Sequence, residues 1–402
     1  MEIKRSSYID TILPHFDTPV IKVLTGMRRV GKSTLIVQLI RLLQDKGTDS
    51  NAILYINKEL LEWDFIKSYM DLYNFIKSFY LSKHYAKRYI FIDEIQEISG
   101  WEKAIASIFS ESFADITISG SNAHLLASDL ATLLSGRYIE FKVYPLTFKE
   151  FCAFHQRSNS TEKEQFSLFL RYGGLPGIHA FELSDTAVFT YLHGIYSTIV
   201  LKDVIQRNEI KDPALLDHVI KYVFDNCGNI TSVKRISDYL KTQKLTASVD
   251  KVLNYIHYLE KAFLVYEAQR YDIKGLRLLE LYSKYYAGDI GLRHGLLGYK
   301  DGDINGLLEN IVYLELLQRG YSVHIGKFDT MEVDFIAEKQ NEKLYIQVCY
   351  LLPNEEVIER EFRPLKRIQD SYPKYILTLD EFQAIERNGI KTINLIDFLL
   401  AV

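Results

Sequence analysis

The stretch LTGMRRVGKSTLIVQLI, residues 24–40, constrains the fold more than any other part of the chain. It places a turn with two glycines, Gly26 and Gly31, between an apolar run typical of a buried strand and an apolar run with helical spacing. Backbone N–H groups of such a turn converge on phosphate oxygens, and the N-terminus of the following helix favours anions. The stretch therefore predicts a phosphate-binding loop in an α/β domain.

The GxxxxGKS spacing assigns a role to each residue of this loop. The ammonium of Lys32 is predicted to reach the β and γ phosphates of a nucleotide, and the hydroxyl of Ser33 to bind Mg²⁺. The other residues of the predicted ATP-binding set surround the phosphates: Gly26, Arg28, Arg29, Val30, Gly31 and Thr34. A chance glycine turn is the alternative, and the agreement of strand, loop and helix argues against it.

An acidic pair ends a later apolar strand, in the stretch YIFIDEIQEI. Asp93 is predicted to hold the magnesium shell, and Glu94 to polarise the water that attacks the γ phosphate. Acids at a strand end are also common on solvated sheet edges, which is the alternative. The order of the two motifs, with the phosphate loop first, favours the catalytic interpretation. Glu97 fits a solvated acid at a helix start.

Two further positions complete the candidate catalytic set. Ser121, in ITISGSNAHLL, follows the next strand, where its hydroxyl or the neighbouring Asn122 amide is placed to orient the attacking water; an ordinary helix N-cap is the alternative. Arg137, in LLSGRYIEF, is a candidate arginine finger for the γ phosphate of a neighbouring subunit, with a surface salt bridge as the alternative. A finger acting in trans implies a homo-oligomer.

The order of predicted elements divides the chain into four parts. Strands and helices alternate over residues 1–150, which predicts a parallel sheet wrapped by helices. Helical periodicity dominates residues 151–212, as in a helical lid. Residues 213–275 give three helices and an alternating stretch, FLVYEAQRYD, that predicts a β-wing, so we expect a winged helix-turn-helix. Residues 276–402 are typical of a second α/β domain.

The third helix of the winged-helix candidate, SVDKVLNYIHYLEK, is the predicted recognition helix. Lys251, Asn254 and His257 are spaced to share one face of it. Tyr255 and Tyr258 are expected to pack rather than to stack on bases. Such modules in ATPases also serve as lids or protein contacts, so the choice between DNA and protein stays open.

Six motifs together carry a resemblance to a known family: GMRRVGKST, IFIDEIQEI, ISGSNAHLL, LSGRY, YPLTFKEF and RYGGLP. The chain resembles the AAA-superfamily ATPases of bacteria and archaea that carry an uncharacterised C-terminal domain. The stretches LEKAFLVYEAQRYDIKG, KYYAGDIGLR, ENIVYLELLQRGY and EVDF extend this resemblance over nearly the whole chain. It implies ATP binding and Mg²⁺-dependent hydrolysis, and it implies no settled cellular task.

The last part resembles a restriction-endonuclease-like core, in which a helix acid, a strand acid and an acid-x-Lys pair gather Mg²⁺. Glu309 and Asp334 match the two acids, whereas Gln347 and Cys349 replace the pair. The site is therefore expected to lack one metal-binding carboxylate and the ammonium that stabilises the transition state. We expect a degenerate nuclease fold that binds DNA or a protein partner without cutting DNA. Structural hydrogen bonding of the two acids is the alternative.

Composition bounds the remaining classes. The net charge of -4 neither demands nor excludes nucleic acid. Three scattered cysteines argue against a disulfide framework or a zinc site and fit a reducing cytoplasm. The N-terminal stretch lacks an apolar core of signal length, and no segment is long enough to span a membrane. A soluble cytoplasmic protein without a membrane partner is expected.

Two functions fit these features. The first is an ATPase whose hydrolysis rearranges the C-terminal modules, with DNA left open as what they act on. The second is a nucleotide-gated switch for a protein or DNA partner, with little turnover.

Overall fold

The computed structural model of the chain describes residues 3–81, 85–123, 136–155, 160–381 and 385–401. The chain divides into two compact units, Met1–Val143 and Tyr144–Val402. Among the described residues, no helix combines the length and the apolar character needed to cross a membrane. The boundary expected at residue 150 lies a few residues beyond the end of the first unit.

The first unit is built on five parallel strands in the order β2-β3-β4-β1-β5. The strands are β1 (Ile21–Thr25), β2 (Ile53–Asn57), β3 (Tyr89–Asp93), β4 (Asp115–Gly120) and β5 (Tyr138–Lys142). The helices are α1 (Ser6–Ile12), α2 (Lys32–Asp45), α3 (Tyr69–Tyr80) and α4 (Trp101–Ser110), with 3₁₀ turns at Leu13–His15, Ser50–Ala52, Leu61–Trp63 and Ile95–Glu97. The parallel sheet predicted for this part of the chain is confirmed.

Burial accounts for these elements. β1 and β3 are buried at every position, as expected of central strands covered by helices on both faces. α2 turns apolar residues towards the sheet at helical spacing, namely Leu35, Ile36, Leu39 and Leu43. α3 begins with a capping box in which Ser68 and Asp71 each bind the other's backbone N–H.

The strand registers bring the predicted site residues to one edge of this sheet. Val23 of β1 lies between Ile118 of β4 and Glu140 of β5, and Ile92 of β3 also pairs with Ile118. Because parallel strands point the same way, the segments that follow β1, β3 and β4 all emerge at the carboxyl edge. In open α/β sheets this is the edge where ligands bind.

The first part of the second unit, before its first strand, is helical. Its helices are α5 (Phe148–Phe154), α6 (Glu162–Tyr172), α7 (Asp185–Thr198), α8 (Pro213–Asp225), α9 (Val233–Thr242) and α10 (Val249–Lys261). A 3₁₀ turn spans Pro176–Ala180, and a π-helix, Ile199–Gln206, continues directly from α7. The helical content predicted for residues 151–212 is present, whereas the role of these helices as a lid stays a prediction.

An eight-stranded sheet follows, in the order β12-β13-β11-β10-β9-β8-β6-β7. Its strands are β6 (Val265–Asp272), β7 (Arg277–Ala287), β8 (Ser322–Phe328), β9 (Met331–Lys339), β10 (Glu342–Val348), β11 (Lys374–Thr378), β12 (Glu386–Arg387) and β13 (Ile390–Asn394). Its helices are α11 (Ile290–Leu297), α12 (Ile304–Gln318), α13 (Glu355–Lys366) and α14 (Leu395–Leu400), with a 3₁₀ turn at Asp301–Asp303.

The stretch predicted as a β-wing forms an antiparallel hairpin of β6 with β7. Thr231, between α8 and α9, pairs with Ser283 of β7, and β6 also pairs in parallel with β8. The hairpin is therefore the edge of the eight-stranded sheet, and a domain boundary at residue 275 would separate two hydrogen-bonded strands. Local alternation could not reveal this, since β6 and β8 are far apart in the chain. The winged-helix and endonuclease-like assignments stay predictions.

Candidate nucleotide-binding site

The turn after β1 has a backbone conformation that depends on its two glycines. φ is +148° at Gly26 and +98° at Gly31, values that L side chains rarely adopt. A Cβ atom on Gly26 would lie 2.2 Å from the carbonyl oxygen of Val143, so no side chain fits there. Arg29 also has a positive φ, +71°. The sequence therefore curls the backbone tightly between β1 and α2.

Lys32 begins α2 and is buried, with 4% of its side chain exposed. Its Nζ donates hydrogen bonds to the carbonyl oxygens of Gly26 at 2.9 Å and Met27 at 3.1 Å. The same atom lies 3.9 Å from Oε1 of Glu94. The ammonium therefore sits inside the curl of the loop, where a polyphosphate would meet it.

The other predicted loop residues differ in accessibility. Their side chains are exposed at Arg29 and Thr34, half-buried at Arg28 and Ser33, and buried at Val30. Arg28 lies 3.3 Å from the carboxylate of Glu59, in the segment after β2. Because the Val30 side chain belongs to the core, this residue can serve a ligand only through its backbone.

Asp93 ends β3 and is fully buried. The hydroxyl of Ser119, on β4, donates a hydrogen bond to Oδ1 of Asp93, and the hydroxyl of Tyr55, on β2, lies 3.5 Å from Oδ2. Burial, and then the negative charge of Asp93, raise the pKa of Tyr55, so the phenol keeps its proton. Neighbouring strands thus fix the carboxylate at the carboxyl edge of the sheet.

Glu94 follows directly in a left-handed conformation, with φ +54°, and is buried. Its N–H donates to Oγ of Ser119 at 3.3 Å, and its carboxylate accepts a hydrogen bond from the side chain of Gln96. Burial alone would raise the pKa of Glu94, but the charges of Lys32 and Arg28 together with hydrogen bonds from Gln96 and Ser121 outweigh burial and lower it. The carboxylate is therefore held ionised, as a general base requires.

The structure brings Ser121 to this carboxylate. Ser121 and Asn122 are both buried, and a hydrogen bond from the Ser121 side chain is one of the interactions that lower the pKa of Glu94. The sequence pointed to the correct strand end but missed Ser119, two residues before Ser121. Its hydroxyl contacts both Asp93 and Glu94. The feature that could have revealed Ser119 is its position on a buried strand that neighbours β3. The remainder of the predicted motif, residues 124–126, lies outside the described residues.

Arg137 is not near the loop of its own chain. It precedes β5 and is exposed, and its carbonyl oxygen accepts a hydrogen bond from the N–H of Ile21, the first residue of β1, at 3.0 Å. The loop begins at the opposite end of β1, roughly 15 Å further along a strand of this length. From this position the Arg137 side chain does not reach the loop of its own chain, and its role as a finger for a neighbouring copy stays a prediction.

In the second unit, Glu309 and Asp334 come together around an ammonium that the sequence did not predict. Nζ of Lys284, on β7, lies 2.8 Å from Glu309, 2.7 Å from Glu332 and 3.7 Å from Asp334. Tyr286 donates a further hydrogen bond to Glu309 at 3.0 Å. The expectation that this cluster lacks an ammonium is wrong, because the lysine comes from a different strand than the acid-x-Lys pattern assumes.

The single ammonium of Lys284 offsets only part of the negative charge of this cluster. Burial raises the pKa of both Glu309 and Asp334, and the Lys284 charge opposes that rise. A cavity of about 540 Å³ adjoins the two acids. Gln347 lines it, accepts the Asp334 N–H at 2.8 Å and donates to Glu361 at 3.1 Å. Within the described part of the chain, no three His, Cys, Asp or Glu side chains are arranged to hold a metal ion.

The predicted recognition helix, α10, is partly engaged within its own unit. Lys251 lies 3.0 Å from the carboxylate of Asp212, and Tyr255 is buried, as expected of a packing residue. Asn254 and His257 are exposed. The face predicted to read DNA is therefore only partly available.

Comparison with known proteins covers both units. A family model described as an AAA domain matches residues 18–152, and a domain of unknown function, DUF8612, matches residues 163–303. An "Uncharacterized protein" of Haemophilus influenzae is 39% identical over 99% of this chain and 98% of its own length. The "Uncharacterized protein MJ1544" of Methanocaldococcus jannaschii is 31% identical over 86% of this chain and 78% of its own.

One solved structure shares the fold. The Walker-type ATPase PABY2304 of Pyrococcus abyssi is similar with a TM-score of 0.51 and 14% identity, over 74% of this chain and 96% of that one. At this identity the similarity concerns architecture alone. With the matching AAA domain, it supports a P-loop ATPase fold for the first unit.

Proposed function

The chain belongs to the same family as the relatives from Haemophilus influenzae and Methanocaldococcus jannaschii, and we propose that it binds ATP with Mg²⁺ and hydrolyses it. The observation that carries the proposal is the convergence of Lys32 and Glu94. A buried ammonium and an ionised carboxylate lie 3.9 Å apart at the edge where the glycine turn opens. An ammonium for the phosphates and a base for the attacking water are the two side chains that this reaction needs.

The residues of this site fit both the phosphates of the nucleotide and the Mg²⁺ ion. The glycine turn leaves its backbone free of side chains where phosphates would approach, and Ser33 and Asp93 offer the hard oxygen atoms that Mg²⁺ prefers. When bound, the ion would neutralise charge on the phosphate oxygens. Ser119 holds Asp93 in place for this role, and Ser121 does so for Glu94.

The second candidate function is a nucleotide-gated switch with little turnover. The observation that favours it is the engagement of Glu94, whose carboxylate is bound by Gln96 and faces Lys32. A base held in this way is available to water only after those contacts change. Steady-state ATP turnover separates the two functions: turnover on the order of 1 s⁻¹ favours the ATPase, whereas tight binding with negligible turnover favours the switch.

The central test is the substitution Lys32→Ala in the full chain. We expect ATP affinity to fall roughly a hundredfold or more, because the only ammonium inside the loop is lost. Calorimetric titration with ATP and Mg²⁺ measures this, with Lys67→Ala, at an exposed lysine of the same unit, as the matched control. Affinity within a few-fold of the unaltered chain would remove the nucleotide site from this loop.

A DNA partner for the second unit stays a prediction. If α10 binds DNA, affinity should fall steeply with added salt, since phosphate neutralisation dominates such contacts. Affinity should also drop in an Asn254→Ala, His257→Ala double variant, since both side chains are exposed on the predicted recognition helix. We also expect no DNA cleavage with Mg²⁺ or Mn²⁺. Cleavage that disappears on Asp334→Ala would restore the nuclease function.

A further inference from the structure

Arg5 is a buried guanidinium in a segment that no phosphate-binding motif includes. It precedes α1, and only 4% of the residue is exposed. Its Nη1 donates a hydrogen bond to the carbonyl oxygen of Val30, inside the glycine turn, at 3.1 Å. A buried charged donor on a backbone carbonyl is among the stronger hydrogen bonds in proteins. This contact therefore fixes one peptide group of the turn.

Three further interactions hold Arg5 and the N-terminal segment in place. The guanidinium lies over the ring of Tyr8, with 4.5 Å from Cζ to the ring centroid. The N–H of Arg5 donates to Oε1 of Gln38, on α2, at 3.3 Å. The side-chain amide of Gln38 in turn donates to the carbonyl oxygen of Ile3 at 2.8 Å. The N-terminal segment is thus clamped to the helix that follows the phosphate-binding turn.

The geometry of the peptide bond turns this contact into a constraint on the site. The bond between Val30 and Gly31 is trans, so the N–H of Gly31 points away from the carbonyl of Val30. Because Arg5 draws that carbonyl to one side, the N–H of Gly31 is turned to the other side of the loop. Gly31 precedes Lys32 and has the positive φ that the turn demands.

We propose that Arg5 is a positioning residue for ATP: by holding the Val30 carbonyl it aims the Gly31 N–H at the nucleotide phosphates. This inference rests on the proposed function of the loop and adds a residue that lies outside the loop. Arg5 acts on the ground state and the transition state alike, because it orders the loop before chemistry begins. Its loss should therefore weaken binding and leave the maximal rate of hydrolysis nearly unchanged.

The test compares three variants of the full chain by calorimetric titration with ATP and Mg²⁺. Arg5→Ala should weaken affinity roughly ten- to a hundredfold, and Arg5→Lys by a smaller factor, because a lysine keeps the charge but not the planar fork. Ile12→Ala is the matched control: it removes a fully buried side chain from the neighbouring α1 without touching the contact to Val30. This control should lower the melting temperature and leave affinity within about twofold.

A second readout separates positioning from simple loss of packing. Methylguanidinium added to Arg5→Ala should restore several-fold of the lost affinity, whereas equal concentrations of urea or NaCl should not. If Arg5→Ala does not fold, Arg5→Lys carries the comparison. If ATP affinity is unchanged in the Arg5 variants while Lys32→Ala abolishes binding, this inference is wrong and the proposed function still holds. If the unaltered chain binds no ATP, both the inference about Arg5 and the proposed function are wrong.

Discussion

The ammonium of Lys32 lies 3.9 Å from a carboxylate oxygen of Glu94, and both side chains are almost wholly buried. Each stabilises the charged form of the other against the cost of burial. A phosphate group that draws Lys32 towards itself would change the surroundings of Glu94 at the same moment. If the loop binds ATP and Glu94 is the base, as proposed, binding and activation of the base are linked through this one pair of side chains.

Glu94→Gln is expected to keep ATP binding and to lower turnover by roughly 10²- to 10⁴-fold, because the amide keeps the shape but cannot accept a proton from water. Glu97→Gln, an exposed acid of the same turn, is the matched control. Since the pKa of Glu94 is lowered from its usual 4.5, the base stays ionised at pH 5 and above. Turnover should then show no loss from Glu94 protonation between pH 6 and 8. An acidic limb in that range would assign the base to another group.

Arg137→Ala should leave ATP affinity nearly intact and lower turnover by roughly 10³-fold or more, if Arg137 acts on the nucleotide of a neighbouring copy. Lys46→Ala, at an exposed lysine just after the end of α2, serves as the control. Turnover of the unaltered chain should also rise with protein concentration as copies associate. Full turnover by a dilute monomer would contradict the trans role and leave Arg137 as a surface residue.

Lys284→Met should destabilise the second unit by about 3–5 kcal/mol at pH 8, because it leaves buried carboxylates without their counter-charge. The loss should shrink at pH 5: without the ammonium, the already raised pKa values of Glu309 and Asp334 rise further, and the acids become neutral. Urea unfolding at the two pH values measures both effects. Lys274→Met removes an exposed pair with Asp329 and should cost less than about 1 kcal/mol. Equal losses in the two variants would show that the Lys284 cluster is not a buried ion network.

Asp289 should make stability fall as pH rises from about 4 to about 6. Burial raises its pKa to about 6 although Gly174 and Leu292 donate backbone N–H bonds to its carboxylate, at 2.7 and 3.0 Å. In this range the folded chain keeps a proton that the unfolded chain has released, so the free energy of unfolding decreases by about 1.4 kcal/mol per unit of pKa difference.

Asp289→Asn tests this pH dependence. The variant should be less stable than the unaltered chain near pH 4, because an amide NH₂ must face one of the backbone donors, and it should lack the fall in stability towards pH 6. Urea unfolding across this range, with Asp250→Asn as an exposed control, measures the difference. The same slope in the unaltered chain and in Asp289→Asn would assign the titration to another carboxyl.

What the sequence revealed of the site was local. The strand, turn and helix around Gly26 and Lys32 are continuous in the chain, and Asp93 and Glu94 are adjacent, so spacing alone was enough to propose them as site residues. The contacts that were missed join residues about 25 positions apart: Arg5 with the Val30 carbonyl, and Lys284 with Glu309. No local pattern encodes such pairs, because they form only when separate elements pack together.

The fold shows the same limit. The alternation of apolar strands and helices sufficed to predict the parallel sheet of the first unit, in which β2, β3 and β4 follow one another in the sheet as they do in the chain. The pairing of β6 with β8 was not foreseen, since a hairpin at the end of three helices satisfies a local wing pattern equally well. Register between distant strands is decided by burial of whole faces, which a single stretch of sequence does not display.

The close approach of Gly26 to Val143 has a mechanical consequence. Val143 is the last residue of the first unit, and its N–H donates to the carbonyl oxygen of Thr25 at 2.7 Å, one residue before the glycine. The chain therefore leaves the first unit at a residue that is hydrogen-bonded to the end of β1 and lies against Gly26. Any change in the backbone of Gly26 must be accommodated first by Val143, because no space separates the two residues.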